Sequence, residues 1–336
     1  MENTAELIKI FSLTFLSFLV AMIWTPFLTN FLYKYKVAQQ IRDKSWDGTA
    51  VPVYKKFHAD KAGTPSMGGL IVWVTAAIVT LLFNLDRGQT WLPLFVLVST
   101  GILGAVDDVL NMKGKGAIKG LGISSKFFWQ ILIAGLGAWW FYYKLGFDTL
   151  HIPAVGDFHI GIWYLLFFVV VVIATANAVN ITDGLDGLAG GLLAIAFSSY
   201  ATIAYVQGNV GLTIFCATII GALITFLWFN INPARFFMGD TGAFAMGSTL
   251  AVIALLTDSA VALIIIGLIF AIEAASSLLQ RFSKKFFKRK IFIAAPLHLH
   301  LQAIGWSEPK IVMRFWLLGA ILAIIGLTVG VVGMGI

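Results

Sequence analysis

Apolar residues in this chain are gathered into long runs separated by short polar segments. Several runs reach roughly 18 or more residues, enough to cross a hydrocarbon core about 30 Å thick as an α-helix. The pattern predicts ten membrane-spanning helices, near residues 7–32, 67–84, 91–110, 127–144, 161–179, 187–206, 211–229, 242–257, 260–282 and 312–334. We therefore expect an all-α, polytopic membrane protein with one domain over residues 1–336.

Composition agrees with that pattern. Hydrophobic residues make up 59% of the chain, charged residues 12%, and the mean hydropathy is +0.91, whereas soluble domains carry about 25% charged residues. The single cysteine, Cys216, lies within a predicted span, which excludes a disulfide framework. Segment 145–160 alternates polar and apolar residues around Pro153 and Gly156, which predicts a small hairpin outside the membrane.

Basic residues are concentrated on one side of the predicted membrane. Of the 23 lysines and arginines, 20 lie in segments 33–66, 111–126, 230–241 and 281–314. The positive-inside rule makes this side cytoplasmic and, with ten spans, places both termini outside. These charges either serve topology alone or include groups that bind phosphate, and the net charge of +7 is compatible with both interpretations.

Aspartates gather at the cytoplasmic ends of three spans. Asp107 and Asp108 end the third span, Asp183 and Asp186 follow the fifth, and Asp240 follows the seventh. Carboxylates at a membrane edge are costly, so they are retained for pairing or for function. Asp240 could instead be the N-cap of the helix over 242–257. Capping does not explain Asp107 and Asp108, because a helix C-terminus disfavours negative charge.

These acids and a pair of histidines suggest the chemistry of the site. Aspartates without cysteine ligands suit a hard cation, and Mg²⁺ is the first candidate because it also accepts water and substrate phosphates as ligands. His298 and His300 lie two residues apart and would share a face only in an extended segment. We prefer a role in phosphate binding or proton handling for them; an interfacial packing pair is the alternative.

Five segments, in this order, carry a family resemblance. They are "GTPSMGG" at 63–69, the Asp107–Asp108 pair, "NAVNITDGLDGLAGG" at 177–191, "NINPARFFMGDTG" at 230–242 and "APLHLH…GWSEP" at 295–309. The chain resembles the polyprenyl-phosphate N-acetylhexosamine-1-phosphate transferase superfamily, and within it the bacterial phospho-N-acetylmuramoyl-pentapeptide transferases. The resemblance implies ten transmembrane helices, termini outside, a cytoplasmic active site, a Mg²⁺ requirement and a place in the bacterial inner membrane.

The resemblance also implies a reaction. Phospho-MurNAc-pentapeptide would pass from UDP-MurNAc-pentapeptide to undecaprenyl phosphate, giving lipid I and UMP for peptidoglycan synthesis. Family members are often dimeric, so a homodimer is expected. The alternatives are a UDP-GlcNAc:polyprenyl-phosphate GlcNAc-1-phosphate transferase and a proton-coupled carrier. Carrier sites lie near the bilayer midplane on broken helices, whereas these acids gather at one edge.

Residue roles follow from the same resemblance. Asp240 matches the metal-binding aspartate, and Asp107 and Asp108 match a catalytic pair in which Asp107 deprotonates the lipid phosphate. His298 matches the first histidine of a catalytic His-His-His loop, in which Leu299 here replaces the second, so the contact of that second histidine does not carry over. Asp186 would contact uracil and Phe237 would stack on it. The other implied substrate-binding residues are Lys61, Lys113, Lys126, Asn180, Asp183, Gly184, Asn230 and His300.

Overall fold

The computed structural model describes residues 2–35, 61, 63–113 and 120–332, the side chains of Glu2, Asn3 and Lys113 excepted. The elements in chain order are α1 (Glu2–Lys34), α2 (Leu70–Phe83), α3 (Trp91–Lys113), α4 (Ile123–Tyr143), β1 (Thr149–Ile152), β2 (Gly156–His159), α5 (Trp163–Thr182), α6 (Leu188–Val206), α7 (Val210–Asn230), α8 (Gly239–Leu256), α9 (Ala260–Ile266), α10 (Leu268–Phe286), α11 (Leu297–Ala303) and α12 (Glu308–Val332).

Each predicted span coincides with a helix or a helix pair. Seven helices are long and apolar enough to cross a membrane, or eight if the α9–α10 pair forms one span, in the part of the chain that the structure describes. The prediction of a helical, polytopic membrane protein is therefore confirmed. The span predicted over 260–282 consists of two helices, because the chain bends by 75° between α9 and α10. The predicted hairpin is confirmed, with β1 and β2 paired antiparallel from Thr149↔His159 to Ile152↔Gly156.

Helix α8 is the central helix of the fold. Its side chains from Thr241 to Leu255 are all buried, and it packs mainly against α3 and α5. Glycines permit this close packing: a Cβ on Gly104 of α3 would collide with the backbone of Asp240 and Thr241, and one on Gly247 would approach Ala176 Cα to 2.7 Å. The N-terminus of α8 is thereby fixed beside the C-terminal parts of α3 and α5.

A loop segment from the N-terminal part of the chain, residues 65–69, also lies at the start of α8. The backbone of 65–69 pairs with the segment just before α8, through Phe237 N–H to Pro65 O at 2.8 Å and Gly68 N–H to Phe237 O at 2.8 Å. Gly69 N–H donates to Met238 O at 2.9 Å. These bonds bring the loop that follows Lys61 against the start of α8.

We expect Gly104→Ala to destabilise the protein by about 1–3 kcal/mol, because an added methyl overpacks the contact between α3 and α8. Gly135→Ala on α4 is the matched control, since nothing lies within 4 Å of its added Cβ. The measurement is the thermal unfolding midpoint in detergent micelles. Equal midpoints for the two variants would show that the α3–α8 contact is not tight at Gly104.

Candidate active site

Backbone N–H groups at the start of α8 are satisfied by carboxylates from two other elements. Asp108 on α3 accepts from Asp240 N at 3.2 Å and from Thr241 N at 3.1 Å, while Asp183 accepts from Gly239 N at 3.2 Å. Free N–H groups and the macrodipole both favour negative charge at a helix N-terminus. Asp108 therefore caps a helix other than its own.

This arrangement corrects the capping alternative. Asp240 is not an N-cap: Met238 occupies that position, and no side chain of α8 itself caps the helix. Asp108 lies in the C-terminal part of α3 and cannot cap that helix, but it caps α8. Its catalytic role stays a prediction, and its contacts are those of a capping residue.

Lys126 joins the other two aspartates of the cluster. Its Nζ lies 2.5 Å from Asp107 Oδ2 and 2.8 Å from Asp240 Oδ2. Asn180 of α5 donates to Asp240 Oδ1 at 2.7 Å. The Asp107 side chain is 0% exposed, whereas those of Lys126 and Asp240 are 25% and 21% exposed. Lys126 and Asp240 are thus the members of this trio that a ligand can reach.

Two further hydrogen bonds hold the Asp107 carboxylate in place. Leu121 N–H donates to Asp107 Oδ1 at 2.6 Å, and Asn111 Nδ2 donates to Oδ2 at 2.8 Å. Since Lys126 also contacts Oδ2, both oxygens are engaged. Because the Asp107 side chain is also 0% exposed, a substrate can reach it only when a neighbouring group moves.

The site has more negative than positive charge. Asp107, Asp108, Asp183 and Asp240 surround the start of α8, and Lys126 is the described basic group in contact with them. Burial raises the pKa of the Asp183 carboxyl to about 7, and the charge of Asp240 adds to the rise. No group of three or more His, Cys, Asp or Glu suited to a metal occurs among the described residues. A magnesium ion there would need oxygens from water or substrate as well.

A second charged cluster lies beside the turn between α5 and α6 and contains Lys61, Asp186 and Glu308. Lys61 Nζ lies 2.6 Å from Asp186 Oδ1 and 2.5 Å from Glu308 Oε1. The other oxygen of Asp186 accepts from Asn232 Nδ2 at 2.9 Å and from Ala234 N at 3.1 Å. The Phe237 ring is half-buried, with its centroid 5.7 Å from Lys61 Nζ. Asp186 and Phe237, which were predicted to contact uracil, therefore both lie close to Lys61, which was predicted to bind substrate.

The turn itself is not helical. Residues 183–187 lie between the end of α5 and the start of α6, and Gly187 has a φ of 80°. Asp183 faces the start of α8 and Asp186 faces Lys61, so they contribute to different clusters. Asn230 is buried beside this turn, accepting from Gly187 N at 2.9 Å and donating to Phe236 O at 2.8 Å. Both ends of its amide thus bind backbone, and its predicted substrate contact stays a prediction.

The two histidines of the tail segment do not share a face. They could share a face only in an extended segment, but α11 (Leu297–Ala303) is helical, and residues two apart on a helix point in different directions. His298 is buried and its Nδ1 lies 2.8 Å from Glu273 Oε2. His300 instead accepts from Ile293 N at 3.3 Å and lies beside the Phe292 ring. Leu299 is buried in the protein.

His298 also contacts the turn between α5 and α6. A Cβ added to Gly184 would collide with His298 Nε2 and would lie 2.7 Å from Cε1. Gly184 is therefore required for the close approach of the imidazole. This contact links α11 to the predicted nucleoside loop.

Sequence reasoning missed two acids of this site. Glu273 is the one acid within the predicted span 260–282, and the cost of charge in a membrane was a signal that applied to it. Glu308 stands in the recognised "GWSEP" segment, next to the last predicted span. The prediction for Lys113 falls on a side chain outside the described part of the chain.

Comparisons with known proteins identify the class to which the chain belongs. A model described as glycosyl transferase family 4 matches residues 90–258, which includes the aspartate cluster. The chain is thus a membrane-embedded protein of that broad class. A phospho-N-acetylmuramoyl-pentapeptide-transferase signature matches residues 61–71, at the loop that pairs with the start of α8.

Curated relatives narrow the assignment. A phospho-N-acetylmuramoyl-pentapeptide-transferase of Geobacillus sp. (strain WCH70) is 39% identical over 324 residues, covering 94% of this chain and 96% of the relative. The proteins of that name from Chloroflexus aurantiacus (strain ATCC 29366 / DSM 635 / J-10-fl) and Levilactobacillus brevis (strain ATCC 367) are 37% and 36% identical, over 94% and 93% of this chain and 88% and 95% of their own. The chain belongs to the phospho-N-acetylmuramoyl-pentapeptide-transferase family, as the resemblance implied.

We expect Asp108→Asn to lower the free energy of unfolding by about 1–3 kcal/mol, and with it the thermal unfolding midpoint. The reason is that the new NH₂ group faces one of the two backbone donors, Asp240 N or Thr241 N. Asp258→Asn is the control, since Asp258 lies beyond the opposite end of α8. The measurement is unfolding in detergent at pH 7. If Asp108→Asn unfolded at the same temperature as Asp258→Asn, the capping role of Asp108 would be wrong.

Proposed function

We propose that this protein transfers phospho-MurNAc-pentapeptide from UDP-MurNAc-pentapeptide to undecaprenyl phosphate, giving lipid I and UMP in peptidoglycan synthesis. The observation that carries the proposal is the contact of Lys126 with Asp107 and Asp240 at the start of α8. It combines an accessible carboxylate with an accessible ammonium, and these two groups suit the transfer of a phosphoryl group. The relatives that match nearly the whole chain support the same substrates.

The reaction brings two anions together, so positioning and charge compensation do most of the work. Lys126 would bind substrate phosphate as it leaves its carboxylate partners, and Asn180 would keep Asp240 in place. Asp107, once released by Lys126, is the acceptor for the proton of the lipid phosphate. An oxygen of that phosphate then attacks the β-phosphate of the nucleotide, and UMP leaves.

The donor set at the start of α8 fits Mg²⁺, since hard oxygens and uncompensated negative charge are both present. Asp240 would hold the ion, because it is the accessible carboxylate of the cluster, and substrate phosphates and water would complete its ligands. When bound, Mg²⁺ would offset charge on the transferring phosphate.

The second cluster would recognise uridine. Phe237 offers a half-exposed ring for stacking, and Asp186 lies next to it through their common neighbour Lys61. Uracil carries an N–H donor that a carboxylate accepts, and its flat face suits an aromatic side chain. Glu308 would keep Lys61 and the backbone of Asp186 in place, because one of its oxygens accepts from both.

We further infer ten spans, with α2, α4 and the α9–α10 pair completing the set. Both termini would lie outside and the two charged clusters at the cytoplasmic face of the bacterial inner membrane. The support is the concentration of lysine and arginine on the loops at that end of the helices. The homodimer stays a prediction.

The matched signature and the relatives favour the muramoyl substrate over UDP-GlcNAc. A proton-coupled carrier is less compatible with a site at one end of the helices, since carrier sites lie near the midplane. In the deciding experiment, purified protein is incubated with undecaprenyl phosphate, Mg²⁺ and either UDP-MurNAc-pentapeptide or UDP-GlcNAc, and the release of UMP is measured. If UMP were released with UDP-GlcNAc and not with UDP-MurNAc-pentapeptide, the proposal would be overturned in favour of a GlcNAc-1-phosphate transferase.

Asp240→Asn is expected to abolish UMP release at every Mg²⁺ concentration, because it removes the accessible charge of the cluster. Asp258→Asn, just beyond the opposite end of α8, is the matched control and should retain activity. Initial rates against Mg²⁺, with EDTA as the zero point, provide the measurement. Wild-type rates for Asp240→Asn would remove this residue from the metal site.

Phe237→Ala should raise the Michaelis constant for the nucleotide about 5- to 150-fold, since base–aromatic stacking contributes about 1–3 kcal/mol. Phe27→Ala is the control, because that ring is 72% exposed on the surface of α1. Titration with UMP gives the affinity directly. An unchanged affinity would show that the Phe237 ring does not stack on the base.

A further inference from the structure

The proposed reaction gives no role to a buried carboxylate on α10, that of Glu273. Glu273 is 0% exposed and lies in the otherwise apolar first two turns of α10, beyond the bend at Gly267. A carboxylate is costly at such a position and is expected to have a specific partner. Its side chain pairs with His298, 25 positions further along the chain.

Both oxygens of Glu273 accept from His298. Oε1 accepts from the backbone N–H at 3.1 Å, and Oε2 lies 2.8 Å from ring Nδ1. A carboxylate can only accept, so Nδ1 must carry the proton of this bond. The other ring nitrogen, Nε2, then faces away from Glu273.

The direction of Nε2 is set by a second contact. The Nε2–Cε1 edge of the ring lies against Gly184, where a Cβ would collide. Gly184 is next to Asp183, which accepts from the start of α8, and two residues from Asp186 in the nucleoside cluster. The imidazole thus lies between Glu273 and the turn shared by the two clusters.

We propose that Glu273 is a positioning residue for the transfer reaction: it fixes the ring orientation and the Nδ1-protonated state of His298, so that Nε2 is the nitrogen presented to the nucleotide. The substrate in this inference rests on the proposed function, whereas the geometry of the Glu273–His298 pair is independent of it. Carboxylates that orient a histidine ring in this way set its tautomer in other enzymes.

A neighbouring residue provides a matched control. Ser276 lies one turn after Glu273 on the same face of α10, and its Oγ accepts from Leu297 N at 3.0 Å. It therefore anchors the start of α11 as Glu273 does, but without contacting the ring. If Glu273 served only to anchor α11, Ser276→Ala would show the same defect as Glu273→Gln.

The experiment measures UMP release by Glu273→Gln, Ser276→Ala, His298→Ala and the Glu273→Gln/His298→Ala double variant. Glutamine retains one acceptor oxygen but adds an NH₂ group, so it cannot accept from both His298 donors. We expect Glu273→Gln to lower kcat/KM by about 10- to 100-fold, with the same division between kcat and KM as His298→Ala. Ser276→Ala should stay within about threefold of wild type, and the double variant should equal His298→Ala.

Equal losses for Glu273→Gln and Ser276→Ala would overturn the proposal, and so would a further loss in the double variant. If Glu273→Gln fails to fold, Glu273→Asp replaces it. Aspartate keeps two acceptor oxygens, so this variant should retain at least about a tenth of wild-type kcat/KM. A lower value for Glu273→Asp, with the protein folded, would overturn the proposal.

A spectroscopic measurement separates this inference from the proposed function. The chain has 5 histidines, so ¹⁵N-histidine spectra of wild type and His298→Ala in detergent assign the ring nitrogens of His298 without substrate. Nδ1 should carry a proton in wild type and lose that preference in Glu273→Gln. An unprotonated Nδ1 in wild type would refute the positioning role. Absence of UMP release by wild type would instead refute the proposed reaction.

Discussion

The fold depends on the way the N-terminus of α8 is held by carboxylates from other helices. Asp108 at the end of α3 and Asp183 just after α5 accept the first N–H groups of α8, so three helix ends meet at one point. The glycine contacts along α8 permit the backbones to approach closely enough for these bonds. Packing and polar satisfaction therefore require the same geometry, and Asp240 is positioned by both.

The site has two clusters that share one turn. Residues 183–187 deliver Asp183 to the start of α8 and Asp186 to Lys61, while His298 contacts the glycine between them. One cluster has accessible charge for phosphate, and the other has a ring and a carboxylate suited to a base. A nucleoside diphosphate needs both kinds of contact at a fixed separation. A rigid, glycine-containing turn can maintain that separation.

Patterns within single segments were the predictable part of the fold and the site. Hydrophobic runs located the helices, the alternation around Pro153 located the hairpin, and five aspartates near predicted helix ends indicated a charged site. Contacts between segments were not predictable in this way. Asp108 caps a helix over 130 positions away, and α11 is a two-turn helix whose pattern is too short to detect. Glu273 was overlooked because its partner is recognisable only after α10 and α11 are packed.

The bond between Lys61 and Glu308 spans 247 positions in the chain. Closing so long a loop has an entropic cost that local contacts do not offset, so such a pair forms only after the helices between have assembled. Glu308 begins α12, so it is synthesised after the helices that carry the aspartates. The base-recognition cluster thus becomes complete only once α12 has been made. A chain that stops short of α12 contains the aspartates at the start of α8, yet it lacks the acid that secures Lys61.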